Sequence, residues 1–342
     1  MKSAIVGCGT IAKVHAKVLE QLEGAQLTAV ADILPEKADA LAAQYDAKAY
    51  YDLDTMLERE EIDVLHICTP HYLHTPMAVR ALKKSVHVFM EKPPAIRFSQ
   101  WEELKKADAE AQEKGIQLGI CFQNRYNANV CYVKEQLAAG TYGAVLGVRG
   151  IVNWSRDEAY YTQSGWRGKW ETEGGGALMN QSVHTLDLMQ YLTGAKPEDV
   201  CAVMDTQHLK GIIEVEDIMA AYITWPGAKG CFYATTSYVT NLPPLIELEC
   251  EKARVRLEDT NVTIWSRDAQ KKQMTFQTEK TLGKDYWGSG HLRAIREFYS
   301  CVEQGSRYPM NVDTLENTVW LLLKIYQSAR EKDGKREDTY IC

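Results

Sequence analysis

Apolar residues follow two different rhythms along the chain. Up to residue 122, short unbroken apolar runs alternate with longer stretches in which apolar positions recur every three or four residues. The runs SAIVG, LTAVAD, VLHICT, VHVFME and QLGICF have the length and β-branched content of buried strands. Between them, TIAKVHAKVLEQL, PEKADALAAQY, HTPMAVRALKK and SQWEELKKADAEAQEK carry helical spacing. Strands buried on both faces and joined by helices predict a doubly wound parallel sheet, an α/β arrangement. From about residue 143 the runs AVLGVRGIVNW, VCAVMD, DIMAAYITW, GCFYATTSYV, LIELECE, ARVRLED and VTIWS crowd together, and TWPGAKGCF reads as a hairpin turn. They predict a large, mostly antiparallel open sheet of about six strands, with helices near 177–192 and 313–331. The chain thus divides into a nucleotide-type domain over 1–122 and an α+β substrate and assembly domain over 123–342. Helices cover one face of such a sheet, so the other calls for a partner, and a homodimer or homotetramer through that sheet is expected.

Composition narrows the function classes. A formal charge of −7 over 342 residues opposes a nucleic-acid surface. No apolar run reaches the length of a membrane span, and the apolar stretch in MKSAIVGCGTIA is too brief for a signal peptide. The nine cysteines are odd in number and scattered without a CxxC, which predicts free, buried thiols in a reducing compartment and a cytoplasmic protein.

Candidate chemistry lies where strands end. In SAIVGCGTIAKVH the pattern Gly7-x-Gly9-x-x-Ala12 follows a strand and opens a helix with Thr10 and Ile11. Gly7 permits the turn, Gly9 lets the backbone approach a pyrophosphate, and the helix start offers free N–H groups: a Rossmann dinucleotide loop. Asp32 ends the second strand, twenty residues beyond Ala12, where a carboxylate accepts from the ribose hydroxyls. Ile33 and Leu34 offer no cation for a 2′-phosphate, so NAD is favoured over NADP. Thr69-Pro70 should flank the dinucleotide. His71 and His74 have HxxH spacing but no carboxylate or cysteine partner nearby, which favours helix-start or cofactor contacts over a metal; no metal is expected. His66 reads as a buried, satisfied histidine. In HVFMEKPPAI, Glu91 and Lys92 end a strand on a stiff proline turn. The Lys92 ammonium can stabilise a developing alkoxide or relay its proton, while Glu91 either orients the lysine or contacts the ribose.

These motifs in order, the GxGxxA loop, C-T-P, Glu91-Lys92-Pro93 and then GGGxxxNxxxHxxD, resemble the glucose–fructose oxidoreductase, inositol dehydrogenase and MocA (Gfo/Idh/MocA) family along nearly the whole chain. The resemblance implies an NAD(P)-dependent oxidoreductase of sugars or cyclitols, an open C-terminal sheet used for assembly, and a cis bond before Pro93. It also implies substrate contacts at Arg125 and Tyr126 and a substrate-facing His291. Asn180 stands where the family frequently has aspartate.

GGGALMNQSVHTLDLMQYLTG reads as a glycine-rich entry into a helix. Asn180, His184 and Asp187, at i, i+4 and i+7, share one face of a regular helix. His184 is the candidate base, Asp187 could set its tautomer, and Asn180, which cannot be a base, hydrogen-bonds a substrate hydroxyl. Trp166 and Arg167 offer a stacking surface and a hydrogen-bonding fork near the nicotinamide. The expected activity is hydride transfer between NAD and a ring carbinol of a sugar, glycoside or nucleotide sugar, pyranose C3 among the options. The alternatives are an inositol dehydrogenase, an NAD-dependent glycosidase with a transient 3-keto intermediate, and a non-catalytic dinucleotide sensor, which would need neither Lys92 nor His184.

Overall fold

The computed structural model describes residues 1–277 and 290–333. Two compact units divide these residues, 1–126 with 290–316 and 127–277 with 317–333.

The first unit is built on β1 (Lys2–Val6), β2 (Gln26–Ala31), β3 (Lys48–Tyr50), β4 (Val64–Ile67), β5 (His87–Glu91) and β6 (Leu118–Cys121). All pair in parallel, in the order β3-β2-β1-β4-β5-β6. The crossovers are α1 (Thr10–Leu19), α2 (Pro35–Tyr45), α3 (Leu53–Arg59), α4 (His71–Lys83) and α5 (Phe98–Gln112). Every residue of β4 and β6 is buried, which is why those runs read as continuous apolar stretches. The strand the rhythm missed, β3, is only three residues long and half exposed. The order reverses between β1 and β4, and their carboxyl ends carry the Gly7 loop and Thr69-Pro70.

The second unit contains α6 (Ala128–Ala138), β7 (Val145–Asn153), α7 (Glu158–Thr162), a π-helical segment (Ala177–Ser182) and α8 (Val183–Thr193). There follow β8 (Asp199–Asp205), β9 (Ile218–Trp225), β10 (Ala228–Thr235), β11 (Leu245–Cys250), β12 (Ala253–Glu258), β13 (Asn261–Ser266) and β14 (Lys271–Thr275). They form an eight-stranded sheet, β14-β13-β12-β11-β7-β10-β9-β8, in which β7 and β10 are parallel and every other pair is antiparallel. The hairpin at Pro226-Gly227 joins β9 to β10 as expected, with Gly227 at φ 77°. Instead of six strands there are eight; β14, Lys-Lys-Gln-Met-Thr, is too polar to announce itself.

The chain then returns to the first unit with α9 (Gly290–Gln304), which packs against α1, β5 and β6, and closes with α10 (Val312–Asp333). The expected helices of the second half, near 177–192 and 313–331, do not include α9, and dividing the chain at residue 122 places its residues with the second unit, whereas they pack in the first. Among the described residues, eight cysteines are free, but the expectation that the thiols are buried fails for Cys201 and Cys231, which are exposed on β8 and β10. Alternation decides this: both point away from the apolar neighbours on either side of them in strand. No helix among the described residues is long and apolar enough to cross a membrane.

Candidate active site

Gly7 ends β1 at φ 86°, and an added Cβ would lie 2.7 Å from the Cys68 carbonyl carbon and 2.8 Å from the Thr69 nitrogen. Only glycine lets the two strand ends approach so closely. At Gly9 a Cβ would meet nothing within 4 Å, so the backbone there is open to a ligand. Thr10 and Ile11 begin α1, whose first N–H groups have no intrahelical partner. Asp32 follows β2; its Oδ2 accepts from Cys8 N at 2.7 Å and its Oδ1 from Leu34 N at 2.9 Å. A carboxylate oxygen holding one such bond can still accept a ribose hydroxyl, so loop and acid fit a dinucleotide. Burial and the charge of Asp32 push the Cys8 thiol up to about 12. Ile33 and Leu34 are exposed, yet the charge of Lys37, on the first turn of α2, also reaches Cys8, a cation that looking only at the residues just after Asp32 overlooks.

Thr69 and Pro70 lead into α4, which begins at His71. His74 is buried, with Nδ1 2.8 Å from the Pro93 carbonyl and Nε2 2.8 Å from the Thr69 carbonyl. Burial keeps His74 below its ordinary 6.5, and a neutral ring has one N–H, so it donates to one of these carbonyls and packs against the other, between the two turns at the ligand edge; the HxxH spacing serves the backbone. Lys92 follows β5 directly, and the Lys92–Pro93 peptide is cis, as the resemblance implies.

Glu91 is buried, and its carboxylate faces inward. Oε1 lies 3.0 Å from His15 Nε2 on α1 and 3.4 Å from His291 Nε2 on α9. These two imidazoles hold the Glu91 carboxyl well below its usual range although burial opposes ionisation. Burial keeps His15 and His66 below their ordinary 6.5. Neutral rings then fix the donors. His15 Nε2–H donates to Glu91, so His15 Nδ1 accepts from His66 Nδ1–H at 2.9 Å, and His66 Nε2 accepts from the Tyr299 hydroxyl at 2.9 Å. Tyr299 in turn accepts from the Ser3 hydroxyl at 2.6 Å. His66 is thus a satisfied core histidine, and His291 turns its ring to Glu91. Arg125 and Tyr126 lie on a short 3-10 turn after β6, and the Tyr126 hydroxyl donates to Glu297 on α9.

In the second unit the glycine triplet is explained by crowding. A Cβ on Gly175 would stand 2.0 Å from the Tyr326 hydroxyl, and one on Gly176 2.0 Å from the Glu216 carbonyl oxygen. The buried Glu216 carboxylate accepts from Gly176 N at 2.9 Å, Leu178 N at 3.0 Å and the Tyr326 hydroxyl at 2.8 Å, capping the π segment. Asn180 therefore lies in a π-helical turn rather than in the regular helix its spacing suggested. The wider turn shifts it out of phase with His184 and Asp187, which belong to α8. Asn180 and His184 remain half-buried, whereas Asp187 is buried and accepts from the Thr318 hydroxyl of α10 at 2.8 Å. The Arg167 guanidinium sits 4.3 Å above the Tyr160 ring and 5.1 Å from that of Trp166, so the stacking pair has a third member. The sequence also hid Glu173, fully buried beside Asn180. Its position just before the triplet was the one available signal.

Residues 1–120 match the Gfo/Idh/MocA model of an oxidoreductase family with an NAD-binding Rossmann fold, and residues 130–256 match the Gfo/Idh/MocA C-terminal domain. The 2,7-anhydro-N-acetylneuraminate hydratase of Mediterraneibacter gnavus is 31% identical over 58% of this chain and 50% of its own length. The D-glucoside 3-dehydrogenase of Escherichia coli is 31% identical over 57% of this chain and 54% of its own. The chain thus spans about half the length of these curated relatives. The crystal structure of the WlbA dehydrogenase from Bordetella pertussis, in complex with NADH and UDP-GlcNAcA, superposes with a TM-score of 0.83 at 31% identity, covering 97% of both chains.

Proposed function

The chain belongs to the Gfo/Idh/MocA family of oxidoreductases with an NAD-binding Rossmann fold, and from that premise we propose that it oxidises or reduces a ring carbinol of a sugar, glycoside or nucleotide sugar with NAD. The observation that carries the reading is Lys92, which follows β5 at the ligand edge of the same parallel sheet whose β1 leads into the open glycine loop. Relatives named as a glucoside 3-dehydrogenase and as a dehydrogenase holding a nucleotide sugar support the substrate class.

When bound, NAD supplies the hydride acceptor. The chain's own residues bind, orient and manage the proton. Gly7, Gly9, Thr10, Ile11, Asp32, Thr69 and Pro70 hold the dinucleotide, with His71, Trp166 and Arg167 as further contacts. The Lys92 ammonium stabilises the developing alkoxide, and an imidazole nitrogen of His184 accepts the proton. Asn180 binds a substrate hydroxyl, with Arg125 and Tyr126 in support. Lys92→Ala and His184→Ala are each expected to lower turnover by about a hundredfold or more while NAD affinity stays within about twofold. Wild-type turnover in both variants, read as NADH formation over a panel of glycosides, nucleotide sugars and cyclitols, would eliminate this mechanism.

The match to a hydratase favours a second reading, a redox-neutral cycle in which a transient ring ketone acidifies the neighbouring C–H and the hydride then returns. Release of aglycone without net NADH separates the two. The exposed face of the second sheet presents Tyr222 between Cys201 and Cys231, and Ala220 between Val203 and Tyr233, in cross-strand register. An apolar and aromatic face of this kind supports a homo-oligomer through the sheet.

A further inference from the structure

Glu173 is fully buried in the second unit, between a loop and the π segment. Its Oε2 accepts from Gly168 N at 2.6 Å and its Oε1 from Asn180 Nδ2 at 2.6 Å. The neighbouring amide is fixed in the same manner: Gln181 Oε1 accepts from Arg156 Nε at 2.9 Å, and Gln181 Nε2 donates to the Tyr160 hydroxyl at 2.7 Å. That hydroxyl also lies 3.5 Å from Asn180 Nδ2. An ionised carboxylate only accepts, so it matches two donors, a backbone N–H and an amide NH2. The Asn180 amide is planar; with its nitrogen held by Glu173, its carbonyl oxygen points to the opposite side.

We propose that Glu173 is a positioning residue that locks the Asn180 amide with its nitrogen inward and its carbonyl oxygen toward the ligand. Position 180 then selects a free ring hydroxyl, which can donate a hydrogen bond, over an O-alkylated carbon, which cannot. The inference rests on the sugar-oxidoreductase reading for its ligand, while the amide orientation belongs to the protein alone. It also accounts for asparagine here: an aspartate would set two carboxylates 2.6 Å apart in a buried site, and they would have to share a proton.

The lock depends on charge. Burial pushes the Glu173 carboxyl up to about 7; Arg167 favours its ionisation, Glu216 opposes it, and Tyr160, Tyr161 and Tyr326 lie within its field. Below that value one oxygen becomes a donor, and the Asn180 amide is free to reverse.

Glu173→Gln supplies one acceptor for two donors. Gly168 N–H cannot turn, so the new NH2 group faces Asn180 and reverses it. KM for the best glycoside of the panel should rise about tenfold, the value of one hydrogen bond, with kcat within about threefold. The wild-type rise of KM as pH falls through about 7 should vanish in this variant. The double variant Glu173→Gln/Asn180→Asp again places an acceptor against the inward NH2 and an acceptor outward, and should recover most of the lost KM. A merely structural carboxylate would give no such rescue. An unchanged KM in Glu173→Gln, or no recovery in a double variant with wild-type melting behaviour, overturns the proposal. NMR keeps the two readings apart: the Asn180 side-chain NH2 resonances of the free protein should titrate near pH 7 in wild type and not in Glu173→Gln. Titration without activity on any sugar sinks the functional reading alone; activity without titration sinks the lock alone.

Discussion

Glu91 and Glu173 are both buried carboxylates, and their neighbours push them in opposite directions. The His15 N–H and the nearby His291 ring hold Glu91 ionised against burial, whereas burial prevails at Glu173 and raises it from 4.5 to about 7. The signs follow from proton uptake on unfolding. Glu91, His15 and His66 all titrate lower in the folded chain than in the unfolded one. Their contribution is complete above pH 6.5 and is lost as pH falls, first through the histidines and then below 4.5 through Glu91. Glu173 acts the other way, and its penalty appears as pH rises from 4.5 to about 7, on the order of 3 kcal/mol when complete. Denaturant midpoints measured from pH 4 to pH 8 should show an acid limb that steepens below pH 6.5, and Glu173→Gln should lack the opposing slope. Glu91→Ala should cost about 1–3 kcal/mol at pH 8 by stranding the buried His15 donor. A pH-independent midpoint would contradict these protonation states. Little of this was legible in the sequence: His15 reads as one polar residue on the apolar side of a helix, and nothing in its spacing pairs it with residues 66 and 91.

The π segment shows what an element takes from outside itself. Its sequence, Ala-Leu-Met-Asn-Gln-Ser, is compatible with an ordinary helix start, and the spacing to His184 reads as regular. Glu216 and Tyr326, thirty-six and 146 residues beyond Asn180, claim the backbone N–H groups of Gly176, Leu178 and Met179, and the chain opens into a wider turn. Tyr326→Phe removes a hydroxyl that accepts from Met179 N and donates to Glu216, leaving two buried polar groups short of a partner. The expected loss is roughly 2–4 kcal/mol, read in equilibrium unfolding, together with a higher KM as Asn180 shifts. Full stability in that variant would show that the segment holds its own shape. The glycine triplet was legible as a tight entry, but the reason for it, a tyrosine hydroxyl and a carbonyl packed against the bare Cα atoms, was not.

At the scale of the whole molecule, the outer face of the second sheet is the surface on which the proposed assembly rests. Tyr222 and Tyr233 are 49% and 38% exposed on β9 and β10, toward the β8 edge of that face, flanked in register by Cys201, Cys231 and Val203. Sedimentation at micromolar concentration should give a dimer or tetramer, and Tyr222→Arg/Tyr233→Arg should shift it toward monomer with NAD binding retained. A monomer in the wild type would remove the assembly. The amino-acid order by itself determined the parallel sheet, the glycine loop with its acid, the lysine at a strand end and the sheet-rich second half. Each of those is written in contacts between residues close in sequence, as periodicity, turn chemistry or motif spacing. Tertiary structure alone decided that α9 returns to the first sheet, that Glu91 is an inward anion and that Glu173 stands behind Asn180. Those facts depend on hydrogen bonds and burial between groups far apart in the chain, for which local pattern holds no record.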